Sequence, residues 1–288
     1  MCNILEKLFG TKSEPVVSMP TTYSRRFYLG VGINKYPGAP LNGCVNDIED
    51  LSNYLMQYKR FLKGDNMRLL VDERATKNAI LERLEWLVSS AGENTICVFQ
   101  YSGHGTQVPN RNADSEIDGM DEVICPFDFD WQGTWISDDD LCDYADRIKR
   151  KGAVPIFIMD ACHSGTMLKD MPLFFGGKKS FVSRYYPMPL DIAARITDTI
   201  VKRTMASEIN ENAILISGCQ DNQTSADAFI SGRYNGALTK SLVSVATRNP
   251  NCSWNELAVE LPKAVKAAGY TQTPTITGGA GLLSKIIF

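Results

Sequence analysis

The chain has 288 residues, 44% of them apolar, enough to bury a substantial core within the range of a single large α/β unit. A formal net charge of −3 leaves no basic excess and argues against nucleic acid as a partner. Eight cysteines without a CxxC spacing, and only two histidines, argue against a structural zinc site. No apolar run reaches bilayer length and residues 1–20 lack the apolar core of a signal peptide, so the expectation is a cytoplasmic protein with reduced thiols and no membrane partner.

Residues 1–24, rich in Ser, Thr and Pro, read as an N-terminal arm that could lay Arg25 and Arg26 across a cleft. A first strand is predicted over 27–33. A helix follows over 45–61, with Val45, Ile48, Leu51, Leu55 and Tyr58 on its apolar face. A short strand over 67–71 precedes a helix over 77–91, capped by Thr76 and striped by Ile80, Leu81, Leu84, Leu87 and Val88. The apolar run 95–101 predicts a third strand. Ser137 can cap a helix reaching Arg150, with acids in its first turn and bases in its last. A fourth strand over 154–159, a fifth over 213–217, helices near 235–248 and 253–268 and a closing β segment over 282–288 complete the pattern. Strands alternating with helices imply a mostly parallel sheet covered on both faces.

Both histidines follow apolar runs: His104 in Tyr-Ser-Gly-His-Gly (101–105) and His163 in Asp-Ala-Cys-His-Ser-Gly (160–165). Chemistry in open parallel sheets gathers at the carboxyl ends of strands, so His104 and Cys162 could meet in space. A nucleophilic cysteine must be a thiolate, and an imidazole is the usual group that makes it one. Gly105 N–H and Cys162 N–H are candidate donors to an oxyanion. His163, adjacent to the cysteine after a strand, should point elsewhere and be structural or line the rim. Gly30-x-Gly32 lacks the third glycine of a nucleotide-binding fingerprint.

These motifs resemble those of metacaspases, the caspase-like cysteine peptidases of clan CD, family C14. The resemblance extends to Leu-Asn-Gly-Cys-Val-Asn-Asp (41–47), Asp-Glu-Val-Ile-Cys-Pro-Phe-Asp (121–128), Ser-Asp-Asp-Asp (137–140) and Ser-Gly-Cys-Gln-Asp-Asn-Gln-Thr-Ser-Ala-Asp-Ala (217–228), in the family's order from about residue 27 to the C-terminus. It implies a caspase-like three-layer α/β/α sandwich with a mostly parallel central sheet, divided into a large part (25–165), a linker (166–211) and a small part (212–288). It also implies a cysteine endopeptidase with His104 as base and Cys162 as nucleophile. An acidic S1 pocket of Cys44, Asp47, Ser102 and Asp160 would select Arg or Lys in protein or peptide substrates, since carboxylates hold a guanidinium by charge-assisted hydrogen bonds. The resemblance further implies a monomer, calcium held by Asp121, Asp138 and Asp139, and self-cleavage in the linker after Lys178, Lys179, Arg184 or Arg203. Lys169 occupies the position of the family's fourth acidic calcium ligand, with Asp170 beside it. Asp114-Ser-Glu-Ile-Asp-Gly (114–119) imitates an EF-hand start but has Cys125 at the twelfth position. The alternative is a catalytically silent caspase-fold interaction or regulatory module.

Overall fold

The computed structural model describes residues 23–62, 64–109, 120–162, 181–193, 213–219 and 223–288. The central sheet has six strands: β1 (Arg25–Gly32), β2 (Met67–Val71), β3 (Thr95–Ser102), β7 (Val154–Asp160), β9 (Ile214–Ser217) and β12 (Thr275–Gly278), in the order β12-β9-β7-β3-β1-β2. Only β12, on β9, runs antiparallel. All eight residues of β3 and all seven of β7 are buried, as central strands covered on both faces require.

Side-chain alternation divides the core into two layers. One face of the sheet presents Leu29, Val31, Phe99 and Phe157 to α2 (Lys77–Ser90) and α3 (Asp138–Arg150). The other presents Tyr28, Val98, Ile156 and Ile216 to α1 (Cys44–Lys59), α5 (Ala237–Arg248) and α6 (Trp254–Ala267). This is the expected α/β/α sandwich. Thr76 caps α2 as predicted, and Ser137 forms a capping box with Asp140 at the start of α3.

Two smaller three-stranded sheets flank the carboxyl end of the large one. One joins β4 (Gly105–Pro109), β5 (Met120–Ile124) and β6 (Ile136–Ser137). The other joins β8 (Phe181–Ser183), β10 (Ala226–Ile230) and β11 (Arg233–Gly236). The short helices α4 (Leu190–Ala193) and α7 (Ala280–Leu283) and a 3-10 turn over Asp72–Arg74 complete the described elements.

Three sequence expectations need correction. The closing β segment over 282–288 is instead the end of α7 followed by a single bridge, Ser253 to Ile286; buried Leu282, Ile287 and Phe288 imitate a strand's apolar pattern, while the edge strand is β12. On α1 the inward aromatic is Tyr54 rather than Tyr58, which is 39% exposed. Arg25 and Arg26 start β1, at the opposite end from the carboxyl ends of the strands, and do not cross a cleft there.

Candidate active site

β3 and β7 are neighbours, and their last residues, Ser102 and Asp160, stand opposite each other in register. His104 and Cys162 each follow two residues later, so the two motifs emerge side by side. Gly103, between Ser102 and His104, has no room for a side chain: a Cβ there would collide with the hydroxyls of Tyr36 and Tyr101. Those hydroxyls fix the histidine's backbone. Tyr36 Oη accepts from His104 N at 3.1 Å, and Tyr101 Oη donates to His104 O at 2.7 Å.

The His104 ring is nearly buried. Nε2 lies 2.8 Å from the carbonyl oxygen of Ala39, which can only accept, so Nε2 carries the proton and Nδ1 keeps its lone pair. Nδ1 makes no hydrogen bond. Burial lowers the ring's pKa to about 4, with the Ala39 and Arg184 carbonyls opposing that shift. Ala39 contributes through its backbone alone, so no side chain advertises it in the sequence.

Cys162 is fully buried; its Sγ accepts the Ser225 N–H and lies 3.6 Å from Cys219 Sγ. Burial raises its pKa well above the ordinary thiol value, with Cys219 adding to the shift. No hydrogen bond joins Cys162 to His104 in this arrangement. His163 lies outside the described residues.

The structure brings Asp47 and Asp160 together, and their carboxylates hold the chain's own Arg184. Arg184 Nη2 donates to Asp47 Oδ2 at 2.7 Å, and Nη1 lies 3.1 Å from Asp160 Oδ1. Asp227 Oδ1 is 3.5 Å from Nη2, and all four side chains are fully buried. Burial alone would lower the arginine's pKa, but Asp160 and its acidic neighbours hold it well above its ordinary value. Burial raises Asp47 to about 7, with Arg184 the main influence holding it down.

Each carboxylate is also held by neutral donors. Asp160 accepts from Ser225 Oγ at 2.6 Å and from Thr239 N and Oγ1 at 3.0 and 2.7 Å. Asp47 accepts from Asn235 Nδ2 at 3.0 Å and Gly236 N at 2.9 Å. Cys44 is buried within electrostatic reach of Arg184, and the buried Ser102 Oγ has no hydrogen-bond partner. Gly236 forms the floor, since a Cβ there would meet the Asp160 carboxylate and come within 2.6 Å of Arg184 Nη1. Asp227 and Ser225 lie in the 217–228 motif and Asp227 is the acid that sequence reasoning left unassigned; Gly236 carries no signal outside the fold.

The backbone around Arg184 is held as firmly as its side chain. β8 runs antiparallel to β10, with Ser183 opposite Ala226 and Val182 opposite Asp227. Arg184 N donates to Ser225 O at 3.1 Å, and Arg184 O accepts from Gly105 N at 3.0 Å. Tyr186 N then donates to Gly105 O at 2.9 Å. The 181–186 segment, expected within an irregular linker, is therefore held in place by β8, a bend at Arg184 and a bridge from Tyr185 to Gly105.

The family model for the metacaspase, peptidase C14 domain matches residues 28–172. A "Metacaspase-1" of Yarrowia lipolytica is 34% identical over 82% of this chain, and one of Scheffersomyces stipitis is 31% identical over 93%. The chain belongs to the metacaspase, peptidase C14 family. It spans 58% of the Yarrowia metacaspase and 74% of the Scheffersomyces one. A crystal structure of a Geobacter sulfurreducens protein is similar at 25% identity with a TM-score of 0.63, covering 92% of this chain and 98% of that one. Family membership supports a cysteine peptidase acting on protein substrates, with the α/β/α sandwich as its frame.

Of the calcium candidates, Asp121 lies on β5 and Asp138 and Asp139 in the first turn of α3, which β6 feeds directly from its pairing with β5. Among the described residues, no group of three or more His, Cys, Asp or Glu side chains is disposed to hold a metal ion. Lys169, Asp170, Lys178, Lys179 and Arg203 lie outside the described residues. No helix among the described residues is long and apolar enough to cross a membrane.

Proposed function

We propose that this chain is an endopeptidase cleaving after arginine, and less well after lysine, with Cys162 as nucleophile and His104 as base. One observation carries the reading: Arg184 lies as a substrate residue before a scissile bond would, its guanidinium on Asp47 and Asp160 and its carbonyl oxygen on Gly105 N–H. A guanidinium reaches both carboxylates with two nitrogens, whereas an ammonium offers one point charge, which favours arginine.

In the reaction, His104 Nδ1 takes the Cys162 proton and Sγ turns from the Ser225 N–H to attack the carbonyl carbon. The oxyanion gathers charge against Gly105 N–H, with Cys162 N–H as the second donor. Nδ1–H then protonates the leaving nitrogen as the C–N bond breaks, leaving a thioester. Water, deprotonated by Nδ1, attacks the thioester carbon; the C–S bond breaks, Nδ1–H returns the proton to Cys162 Sγ, and the carboxylic acid departs. The Ala39 carbonyl holds the tautomer throughout.

The same placement nominates Arg184–Tyr185 as the self-processing bond among the four candidates. Cleavage of arginyl, lysyl and aspartyl coumarin peptides by wild type and Cys162→Ala tests the specificity. An arginine preference abolished in Cys162→Ala supports it; aspartyl turnover would refute it. Mass spectrometry of the purified protein tests the processing: wild type should yield a fragment beginning at Tyr185, and Cys162→Ala none. Calcium activation, which the family resemblance implies, has its own test in a calcium titration of wild type and Asp138→Asn. The silent-module alternative has no comparable observation behind it.

A further inference from the structure

We infer that the cleft has a second specificity pocket, an aromatic S2′ subsite formed by Tyr36, Phe129 and Trp131, which selects a tyrosine or phenylalanine two residues after the scissile bond. The inference rests on the reading of Arg184 as the residue before that bond, because Tyr186 is then the second residue after it.

Tyr186 is held at both its backbone and its ring. Its carbonyl accepts from Thr106 Oγ1 at 2.8 Å, complementing the Tyr186 N–H bond to Gly105 O. Its ring lies 5.3 Å from Phe129, 6.2 Å from Tyr36 and 6.3 Å from Trp131, centroid to centroid, and meets the His104 ring edge-on at 5.3 Å. These separations and tilts suit the attraction between an aromatic edge and a face. The hydroxyl donates to Pro37 O at 3.0 Å.

The walls are fixed independently of their occupant. Phe129 and Trp131 contact each other at 5.0 Å. Asp130 between them accepts from Gln132 N and Thr134 N, both at 3.0 Å, and so folds the loop on itself. The start of α2 anchors the same loop through Lys77 N to Asp128 and Lys77 Nζ to Gly133 O. Tyr36 is tied down by its hydroxyl, which donates to Cys125 O at 2.8 Å. A rigid aromatic cage beside the catalytic histidine adds binding that an aliphatic or small side chain cannot match.

The test uses internally quenched peptides of the sequence Phe-Val-Ser-Arg-Tyr-Tyr and the wild-type enzyme. Replacing the second residue after arginine with alanine should lower kcat/KM at least about tenfold, while phenylalanine there should stay within about threefold. Replacing the first residue after arginine with alanine should have a smaller effect than the same change at the second. Trp131→Ala should shrink the tyrosine-to-alanine ratio at the second position. Equal turnover of the tyrosine and alanine peptides by wild type overturns the subsite. An arginyl coumarin, which has no residues after the bond, checks the arginine reading separately; if it is cleaved while the peptides are not discriminated, only the subsite fails.

Discussion

Asp47→Asn is the sharpest perturbation of the proposed pocket, because it removes one charge and almost no volume. The Asp47 carboxylate meets the guanidinium at 2.7 Å with both groups fully buried. The amide oxygen can keep accepting from Gly236 N and Asn235, which leaves an NH₂ facing the cation. A hydrogen bond to a charged group contributes about 1.5–3 kcal/mol, or roughly 10- to 150-fold. The loss should stop short of that for a wholly unpaired buried charge, since Asp160 and Asp227 remain. The contact is made in ground and transition states alike, so the penalty should fall on KM with kcat little changed. The pH dependence gives a second readout. Burial raises Asp47 to about 7, and only the ionised form attracts a cation. With Arg184 out of the pocket the influence that lowers Asp47 is gone, so its pKa lies higher still. A proton therefore competes with the substrate: wild-type KM should climb as pH falls across the neutral range, and the variant should lose that arm. Steady-state kinetics on an arginyl coumarin between pH 5.5 and about 8.5 measures both. A cooperatively folded Asp47→Asn protein with KM within about twofold of wild type, and the same pH arm, would refute the assignment.

Other outcomes follow from neighbouring contacts. Gly236→Ala should lower kcat/KM for arginyl substrates by about 100-fold or more, as the methyl fills the pocket floor. Gly236 has φ −68° and ψ 136°, ordinary for alanine, so the loss would report space rather than backbone strain; undiminished turnover would move the floor elsewhere. His104 should couple stability to pH. Its native pKa is about 4 against about 6.5 unfolded, so the unfolded chain binds the proton first and stability falls as pH drops from about 6.5 towards 4. The full contribution is about 3 kcal/mol at about 1.4 kcal/mol per unit. Urea unfolding of Cys162→Ala with and without His104→Gln checks it; parallel pH profiles would refute the buried neutral ring. Ser253→Ala breaks the capping box of α6, far from the pocket, and should cost about 1 kcal/mol in unfolding measurements with KM unchanged.

That the His104 and Cys162 motifs emerge side by side was legible because β3 and β7 are continuous apolar runs. Such runs are buried on both faces and run side by side, so motifs at their ends meet. Ser102 and Asp160 follow by register, two residues before each catalytic candidate. Other contributions leave no such trace. The Ala39 carbonyl that fixes the tautomer belongs to a backbone, and the Gly236 floor depends on the junction where β11 passes directly into α5. The aromatic wall arises from a loop whose residues, Phe129 and Trp131, have neither helical nor strand periodicity. At 282–288 the apolar pattern was real but its cause was different: burial of Leu282, Ile287 and Phe288 against α6 and α1 needs no strand.

The electrostatics of the pocket tie these pieces together. Asp47, Asp160 and Asp227 are buried within reach of one another, and burial of carboxylates without a counter-charge is strongly unfavourable. Their hydrogen bonds to Asn235, Gly236, Thr239 and Ser225 orient them but supply no full positive charge. Arg184 supplies that charge in the described structure. If the proposed cleavage after Arg184 removes it, the pocket must take up a proton, as the raised Asp47 allows, or another cation. The demand for positive charge that draws the chain's own arginine into this site is the physical basis of the proposed preference for a basic residue.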